Sequence, residues 1–348
     1  MKIAHIINSN SYSGLENVVC NIIDNFRKEY KDFEMIYVTQ DGPIVKILQD
    51  KNINYYVIEK MNKKSVRKFI AQWKPDILQA HDYTASVICA LTTEKLPIIN
   101  HLHNNAPWIK KLCPYSISYL YAGRKAKKIL TVSNSIQEEY IFSNAIKDKI
   151  EVIGNPVSKN KILERVEESD YQKKYDICCV GRLTEAKNPK MFLEVVSKVK
   201  KERKDIKAVW VGNGELYEEM ISYRDKLKLT ENVEFVGFQE NPYTYMAKSK
   251  MFVLTSKWEG YGLVAFEALS LGLPCIVSKV GGLVNIVDDS CGKLCETEEG
   301  FTKQILKVLT DSDEYERLSK NASKKAEKLD STQEYMKKMY DLYQEIGE

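Results

Sequence analysis

The stretch EGYGLVAFEALSLGLP, residues 259–274, decides the fold because it joins a strand to a helix through a glycine loop. The apolar run MFVLTSKW precedes it and is typical of a buried strand. Gly260 and Gly262 predict a tight turn, since glycine adopts backbone conformations that other residues avoid. We therefore predict a helix just beyond the turn, with Glu259 in the loop and Glu267 about one turn into the helix, both near a helix N-terminus that attracts anions.

The same alternation of strands and helices runs along the whole chain. In the first half, strands are predicted at KIAHII, EMIYVTQ, NYYVI, DILQAH, PIINHLH, KILTVS and IEVIGN, and helices at LENVVCNIIDNFRKEY, PIVKILQDKN, SVRKFIAQWK and SNSIQEEYIFSNA. The pattern restarts with the strands DICCVGRL, KAVWVGNG, VEFVGF, MFVLTS and PCIVSK. This alternation predicts an α/β protein with two doubly wound, Rossmann-like domains facing a central cleft.

A length of 348 residues also favours two domains. The polar stretch NPVSKNKILERVEESDYQKKY, which begins at Asn155, is the predicted boundary. We predict an N-terminal domain at 1–156, a C-terminal domain at 170–330 and an amphipathic helix at 331–348. No apolar run approaches the roughly 18 residues of a membrane span, and the apolar start MKIAHIINSN is too short for a secretory signal. We therefore expect the protein in the cytoplasm, where it could also lie peripherally on the inner face of the membrane.

The cysteines show no spacing typical of a disulfide framework or a zinc site. They lie at positions 20, 89, 113, 178, 179, 275, 291 and 295. Cys291 and Cys295, in CGKLC, are the nearest approach to a metal motif, and without a second pair we interpret them as half-buried thiols. Reduced, structural cysteines are the expectation.

Basic residues are concentrated in the first half of the chain. Residues 1–155 carry 21 basic and 15 acidic side chains, and 60–128 carry 13 basic and 3 acidic ones. This excess fits either solvated helix faces or contact with an anionic surface, such as membrane phospholipid or a lipid diphosphate. Nucleic acid is a weaker third option because no recognised nucleic-acid motif accompanies the charge. The aromatic residues Trp73 and Trp108 in or near this region fit a membrane-bound acceptor.

The loops that follow the strands of the second half carry candidate ligand-binding residues, because doubly wound sheets bind ligands beyond their C-terminal strand ends. GRLTEAKN offers Arg182 and Lys187 as a clamp for a diphosphate. VGGLVNIV offers Gly281 and Gly282 for close backbone approach. The G-x-G of GNGE, 212–215, is weak evidence and more often marks a tight turn.

A diphosphate held there leaves the two glutamates to bind neutral hydroxyls. Glu267 would accept hydrogen bonds from a ribose diol, and Glu259 would meet another polyol, which together describe a nucleotide sugar. Taken singly, each glutamate is equally consistent with a helix cap or an ion pair.

The chain resembles the retaining glycosyltransferases of family 4, group 1, which have the GT-B fold. The segments that carry the resemblance are SGLENVVCNI, GRLTEAKN, VGNGE, VEFVGF and EGYGLVAFEALSLGLPCIVSKVGG, and it extends over essentially the whole chain. It implies an N-terminal domain that binds the acceptor, a C-terminal domain that binds the nucleotide-sugar donor, and a C-terminal helix that packs back on the first domain.

The resemblance also implies roles for single residues. Arg182 and Lys187 would bind the donor diphosphate, Glu267 the ribose and Glu259 the donor sugar. The expected donor-binding residues are Gly14, Arg182, Lys187, Phe238, Glu259, Gly260, Tyr261, Gly262, Leu263, Val264 and Glu267, and the expected catalytic residues are His103, Glu259, Arg182 and Lys187. No metal and no cofactor other than the nucleotide sugar itself is implied.

Two features of the family pattern differ in this chain, and a third, the expected histidine, has more than one candidate. The loop after the first strand usually carries two glycines, and here Ser13 stands in place of one, beside Gly14. Val284 and Asn285 replace the usual proline and glutamate after the glycine pair, so contacts to the base or sugar there are expected to differ. A histidine usually follows a first-domain strand near the reacting carbon. NHLHNN offers His103 as the better match, with His101 expected to point the other way and His81 as a lesser candidate.

The expected reaction is transfer of a hexose or N-acetylhexosamine, with retention and without a metal, from a UDP-sugar to a lipid-linked glycan in polysaccharide or glycoconjugate synthesis. An anionic membrane surface is an expected partner through 60–128, and nucleic acid is not. A nucleotide-sugar epimerase of the same fold and a catalytically silent partner of another glycosyltransferase stay open as alternatives. A nicotinamide-dependent oxidoreductase is disfavoured, since no G-x-G-x-x-G follows the first strand.

Overall fold

The computed structural model describes residues 1–166 and 172–347, which form two compact units. The first combines Met1–Pro156 with Ser331–Glu348, and the second is Val157–Asp330. The second unit thus begins ahead of the expected domain start at 170, a position that lies outside the described residues. The helix Lys159–Leu163, within the segment predicted to link the domains, already belongs to the second unit.

The first unit is built on a parallel sheet of seven strands in the order β3-β2-β1-β4-β5-β6-β7. The strands are β1 Lys2–Ile6, β2 Glu34–Gln40, β3 Tyr55–Ile58, β4 Ile77–Ala80, β5 Ile98–Leu102, β6 Lys128–Thr131 and β7 Ile150–Val152. The helices between them are α1 Gly14–Glu29, α2 Ile44–Asp50, α3 Lys63–Trp73, α4 Tyr83–Thr92, α5 Pro114–Lys125 and α6 Asn134–Glu139. Parallel strands covered on both faces are apolar throughout, which is why their sequences read as short continuous runs.

Helices cover both faces of this sheet. Phe69 of α3 packs with Leu78 in the apolar cluster of one face. The C-terminal helix, Thr332–Gly347, belongs to the first unit and lies against β4 and α1 on the other face. There the Tyr343 hydroxyl donates a hydrogen bond to Oε1 of Gln79, and the Tyr343 ring meets Phe26 edge-on at 5.4 Å between centroids. The C-terminal helix is therefore part of the core of the first unit.

The second unit repeats the same layering around a parallel sheet in the order β10-β9-β8-β11-β12-β13. Its strands are β8 Tyr175–Val180, β9 Ala208–Val211, β10 Val233–Phe235, β11 Ser249–Leu254, β12 Cys275–Ser278 and β13 Gly292–Cys295. Its helices are α7 Lys159–Leu163, α8 Pro189–Glu202, α9 Tyr217–Lys226, α10 Tyr243–Ala247, α11 Leu263–Ser270, α12 Leu283–Ile286, α13 Glu298–Thr310 and α14 Ser312–Leu329. The eight cysteines are free thiols, and Cys291 and Cys295, beside and in β13, are buried.

Each sheet reverses its strand order once, between β1 and β4 in the first unit and between β8 and β11 in the second. The loops that leave two such strands run to opposite faces of the sheet and open a crevice above the strand ends. The Lys187–Glu259 pair lies at this reversal in the second unit, and the histidines lie there in the first.

Candidate functional site

The loops after β8 and β11 are held together by hydrogen bonds at the switch point of the second unit. The Thr255 hydroxyl, just beyond β11, lies 3.3 Å from the carbonyl oxygen of Lys187 and 3.1 Å from that of Asn188. The Lys257 amide donates to the carbonyl oxygen of Ala186 at 2.8 Å. These bonds fix the backbone of Lys187 beside the glycine loop.

Lys187 and Glu259 form an ion pair across these two loops. The side chains retain 20% and 10% of their exposure, and the Ser256 hydroxyl also donates to Glu259 Oε1 at 2.7 Å. Arg182, the other expected diphosphate ligand, is exposed on the same loop as Lys187. One of the two expected cations, Lys187, is therefore paired with Glu259, whereas Arg182 is exposed.

The N-terminus of α11 lies directly after the glycine loop. Gly262 precedes the helix with φ of +93°, and a Cβ added there would lie 2.6 Å from Cδ2 of Leu283. Leu263 and Val264 are the first helical residues, so their backbone N–H groups have no partner within the helix. Such N–H groups and the helix dipole make this end a site for an anion.

The glycine pair after β12 is packed against the same loop. Gly281 has φ of +52°, and a Cβ there would lie 1.8 Å from the carbonyl oxygen of Glu259. The Gly282 amide donates to the carbonyl oxygen of Gly260 at 2.9 Å. Val284 and Asn285, the departures from the family pattern, are exposed in α12. The glycine pair therefore packs against the backbone of the loop that carries Glu259.

Glu267, in α11, is half-buried, and the Tyr243 hydroxyl lies 3.3 Å from its Oε1. Burial raises the pKa of this carboxyl to about 7, against the lowering effects of Tyr243 and of the charges on Arg165 and Lys187. Arg165 also lies over the Tyr243 ring, 5.0 Å from its centroid. Glu267 therefore titrates in the physiological range.

Sequence reasoning missed Ser256, Tyr243 and Arg165 as neighbours of the two glutamates. Ser256 lies three residues before Glu259 and could have been found from the loop itself. Tyr243 and Arg165 come from a short helix and from the predicted boundary segment, where no motif marks them.

The remaining expected donor residues lie at other strand ends. Phe238, directly after Gly237 in the loop that follows β10, is 61% exposed. Gly14 is in the first unit, where it begins α1, and the Ser13 hydroxyl donates to Glu16 at 2.5 Å.

The chain's four histidines cluster at the switch point of the first unit. Nδ1 of His5 lies 2.9 Å from Nε2 of His81, and Nδ1 of His81 lies 3.0 Å from Nε2 of His103. The expectation that His101 points away from His103 is wrong, since their ring centroids are 4.0 Å apart. Residues two apart along a strand direction share a face, so both rings project to the same side of the sheet.

Burial sets the charge of this cluster. It lowers the pKa of His5 and of His103 to about 3 and the pKa values of His81 and His101 well below the usual one. All four rings are therefore neutral at physiological pH.

Two family profiles match the chain in tandem. The one described as glycosyl transferases group 1 matches residues 160–325, and the one described as glycosyltransferase family 4 matches residues 12–161. The chain belongs to the group 1, family 4 glycosyltransferases. The two parallel sheets with flanking helices of this family 4 glycosyltransferase confirm the expected GT-B type of fold, with two Rossmann-like domains.

Relatives and solved structures show what this glycosyltransferase is similar to. It is 31% identical over 245 residues to the N-acetylgalactosamine-N,N'-diacetylbacillosaminyl-diphospho-undecaprenol 4-alpha-N-acetylgalactosaminyltransferase of Campylobacter jejuni. The match covers 69% of this chain and 64% of the relative. This chain therefore spans less than two thirds of that relative's length. It is 26% identical to the UDP-Gal:alpha-D-GlcNAc-diphosphoundecaprenol alpha-1,3-galactosyltransferase of Escherichia coli, covering 99% of this chain and 96% of that one. Among solved structures, Anabaena Alr3699/HepE in complex with UDP and glucose matches with a TM-score of 0.86 at 19% identity, covering 99% of this chain and all of the other.

The close approach at Gly281 generates a stability prediction for the glycosyltransferase. Gly281→Ala places a methyl group against the carbonyl of Glu259, so we expect it to lower the free energy of unfolding of the second unit by about 3 kcal/mol or more. Gly237→Ala is the matched control, because Gly237 also has positive φ, +68°, but a Cβ there meets nothing within 4 Å. We expect that control to cost only about 1 kcal/mol. Urea unfolding of both variants would measure the difference, and equal losses would contradict the proposed crowding.

Proposed function

We propose that this glycosyltransferase moves a hexose or N-acetylhexosamine from a UDP-sugar to a lipid-linked glycan during synthesis of a cell-surface polysaccharide or glycoconjugate. We propose further that it does so with retention at the anomeric carbon and without a metal ion. The observation that carries the proposal is the Lys187–Glu259 ion pair at the N-terminus of α11, one turn from Glu267. A cation, a helix N-terminus and two carboxylates in that order fit a diphosphate flanked by two sugars.

Each donor residue would have one task in this arrangement. Lys187, Arg182 and the first N–H groups of α11 would hold the diphosphate and neutralise the charge that develops as it leaves. Glu267 would accept hydrogen bonds from the ribose hydroxyls, and Glu259, once released by Lys187, from the donor sugar. The exposed ring of Phe238 would stack on the base.

The choice of donor and acceptor draws on the relatives. The E. coli relative is named for UDP-Gal and for a diphosphoundecaprenol-linked acceptor, and the C. jejuni relative is named for a diphospho-undecaprenol acceptor. The Anabaena neighbour was solved with UDP. These names support a uridine donor and a lipid-diphosphate acceptor for this chain.

The reaction we propose is a front-face substitution. The bond between the anomeric carbon and the diphosphate oxygen breaks while the acceptor hydroxyl attacks from the same face, and the leaving diphosphate takes the acceptor proton. Lys187 and the helix N-terminus stabilise the departing charge. His103, neutral because burial lowers its pKa to about 3, would act near the reacting carbon through a hydrogen bond and not as a cation.

A transfer assay with a matched lysine variant tests the proposal. Lys187→Gln removes the half-buried cation, so we expect turnover with a UDP-sugar and a lipid-diphosphate glycan to fall about 100- to 1,000-fold. Lys257→Gln, in the adjoining loop, removes a lysine paired with the exposed Glu185 at 3.1 Å, and we expect turnover to change less than twofold. Circular dichroism of both variants would show that the fold is kept.

The same assay separates the alternatives. Product formed without any acceptor would indicate an epimerase instead. Absence of product with a panel of UDP-, GDP- and ADP-sugars, together with no thermal stabilisation by any of them, would indicate a catalytically silent partner. An inverted anomeric configuration in the product would contradict the front-face reaction.

Titration of Glu267 generates a pH prediction for donor binding. Because the ionised carboxylate accepts ribose hydrogen bonds better than the protonated acid, affinity should fall as pH drops through about 7, by up to about tenfold between pH 8 and pH 6. Glu267→Gln should bind more weakly at pH 8 and lose this dependence. Calorimetric titration with a nucleotide sugar would measure it, since an esterified diphosphate has no proton to lose in this range. The same pH dependence in wild type and variant would assign the titration to another group.

We assign the expected membrane contact to one surface of the first unit. Among the described residues no helix is long and apolar enough to cross a bilayer. Large apolar side chains nevertheless stand exposed on and around α5: Leu112 at 74%, Tyr115 at 57%, Ile117 at 53% and Tyr121 at 43%. The basic residues Lys110, Lys111, Arg124 and Lys125 lie in the same segment. We propose that this surface docks on anionic lipid, which would bring the enzyme to a lipid-linked acceptor.

Vesicle sedimentation tests this surface. The protein should bind vesicles that contain anionic lipid more than purely zwitterionic ones, and the double variant Leu112→Asp/Ile117→Asp should lose most of this binding, because it puts charge where apolar side chains would enter the interface. Leu163→Asp, at a position 42% exposed in the second unit, is the control and should bind as the wild type does. Equal sedimentation with both kinds of vesicle would refute the surface.

A further inference from the structure

We propose that His81, His101 and His103 form a binding site for a divalent transition metal ion of borderline softness, with Zn²⁺ as the reference case. One ring nitrogen from each histidine lies within 4.8 Å of those from the other two. This site goes beyond the proposed sugar transfer, which uses no metal.

The distances suit a metal ion with little rearrangement. Nitrogen ligands about 2.0–2.1 Å from a tetrahedral Zn²⁺ lie roughly 3.3–3.4 Å from one another. His81 Nδ1 and His103 Nε2 are already 3.0 Å apart. One ring nitrogen of His101 lies within 4.8 Å of the nitrogens offered by the other two rings, so reaching the tetrahedral spacing takes a movement of about 1.5 Å at most.

The hydrogen bonds of the cluster assign the ligand atoms. Nε2 of His81 is hydrogen-bonded to His5, so Nδ1 of His81, which now meets Nε2 of His103, is the nitrogen that would exchange this contact for the metal. Nδ1 of His101 lies 3.1 Å from the Gln79 amide, which leaves Nε2 of His101, a buried atom with no hydrogen-bond partner in the described part of the chain. Nε2 of His103, beside His81 Nδ1, is the third ligand. An unsatisfied buried ring nitrogen costs free energy that a metal bond would recover.

The same neighbours would serve as the outer shell of the site. Histidine ligands usually donate their second ring N–H to a fixed acceptor, which orients the ring. His5 Nδ1 would accept from His81. With metal on Nε2 of His101, the Gln79 amide would turn its oxygen to the His101 Nδ1–H, and the Tyr343 oxygen would accept from the amide nitrogen instead of donating to Oε1.

Protonation does not compete with the metal near neutral pH. Metal binding needs neutral imidazole, and burial keeps the pKa values of all three rings below their ordinary range. Imidazole nitrogen suits Zn²⁺, Cu²⁺ and Ni²⁺ better than Mg²⁺ or Ca²⁺, which prefer oxygen. Three protein ligands leave one tetrahedral position for water.

One consequence rests on the proposed function. A metal that holds His103 takes its ring away from the sugar-transfer site, so added Zn²⁺ should inhibit transfer. Binding itself does not depend on that function, and the decisive experiment therefore measures binding. Failure of inhibition with binding intact would count against the role of His103 in transfer and leave the metal site standing.

The experiment titrates the metal-free, full-length protein with Co²⁺ and Zn²⁺. We expect one equivalent to bind, with Co²⁺ absorption typical of tetrahedral nitrogen ligation and a zinc X-ray absorption shell of nitrogen or oxygen at about 2.0–2.1 Å. His81→Asn and His101→Asn should each weaken binding by at least 100-fold. His5→Asn, the matched control at the fourth histidine, removes only an outer-shell partner and should weaken binding by about 10- to 100-fold.

Two further measurements keep the result interpretable. Thermal unfolding of each variant would establish that it is folded, and Cys113→Ser, at the one cysteine of intermediate burial, should leave binding unchanged. The proposal is overturned if folded wild-type protein binds no Co²⁺ or Zn²⁺ at micromolar concentration. It is equally overturned if sulfur appears in the metal shell, or if His81→Asn and His101→Asn bind as tightly as wild type.

Discussion

A parallel sheet that sends successive helices to opposite faces leaves a crevice at the two strands where its order reverses, and both units of this protein depend on that constraint. In the second unit the crevice lies above β8 and β11, where Lys187, Glu259 and the start of α11 meet. In the first unit it lies above β1 and β4, where His5 and His81 stand side by side. Lys187 lies 72 residues before Glu259, and His5 lies 76 residues before His81, so the strand order brings each pair together.

The second-unit site also shows how little freedom its backbone has. Gly281 lies so close to Glu259 that only a glycine fits, and the hydroxyl of Thr255 ties the β11 loop to the β8 loop. These contacts hold the backbone of the loop, and the Ser256 hydroxyl and Lys187 hold the Glu259 side chain. In the reaction we propose, the glutamate would exchange Lys187 for a sugar hydroxyl while the backbone of its loop stays in place.

The sequence predicted most of the fold because its strands are short, β-branched and separated by glycine or polar turns. It predicted the start of α11 at Leu263 from the two glycines before it. It gave no sign of α4, whose sequence YTASVICALT is apolar on all sides and lacks the periodicity of an exposed helix, or of β13, in GKLC. Of the candidate site, the residues carried by motifs were found, whereas Tyr243, Arg165 and Ser256 were not, because their positions depend on tertiary packing. The error at His101 has a simpler origin, since a period of two places both histidines on one face.

The C-terminal helix makes the first unit discontinuous in sequence, which affects the order in which the two units can fold. The first unit contains Met1–Pro156 and Ser331–Glu348, with the whole of the second unit inserted between them. On the ribosome, the second unit has its complete sequence before the first has its last helix, although the first is synthesised earlier. Until then the sheet face around Gln79 and Phe26 lacks the tyrosines that cover it. The first unit is thus the first to be synthesised and the last to be completed. It must avoid aggregation while the second unit is being synthesised.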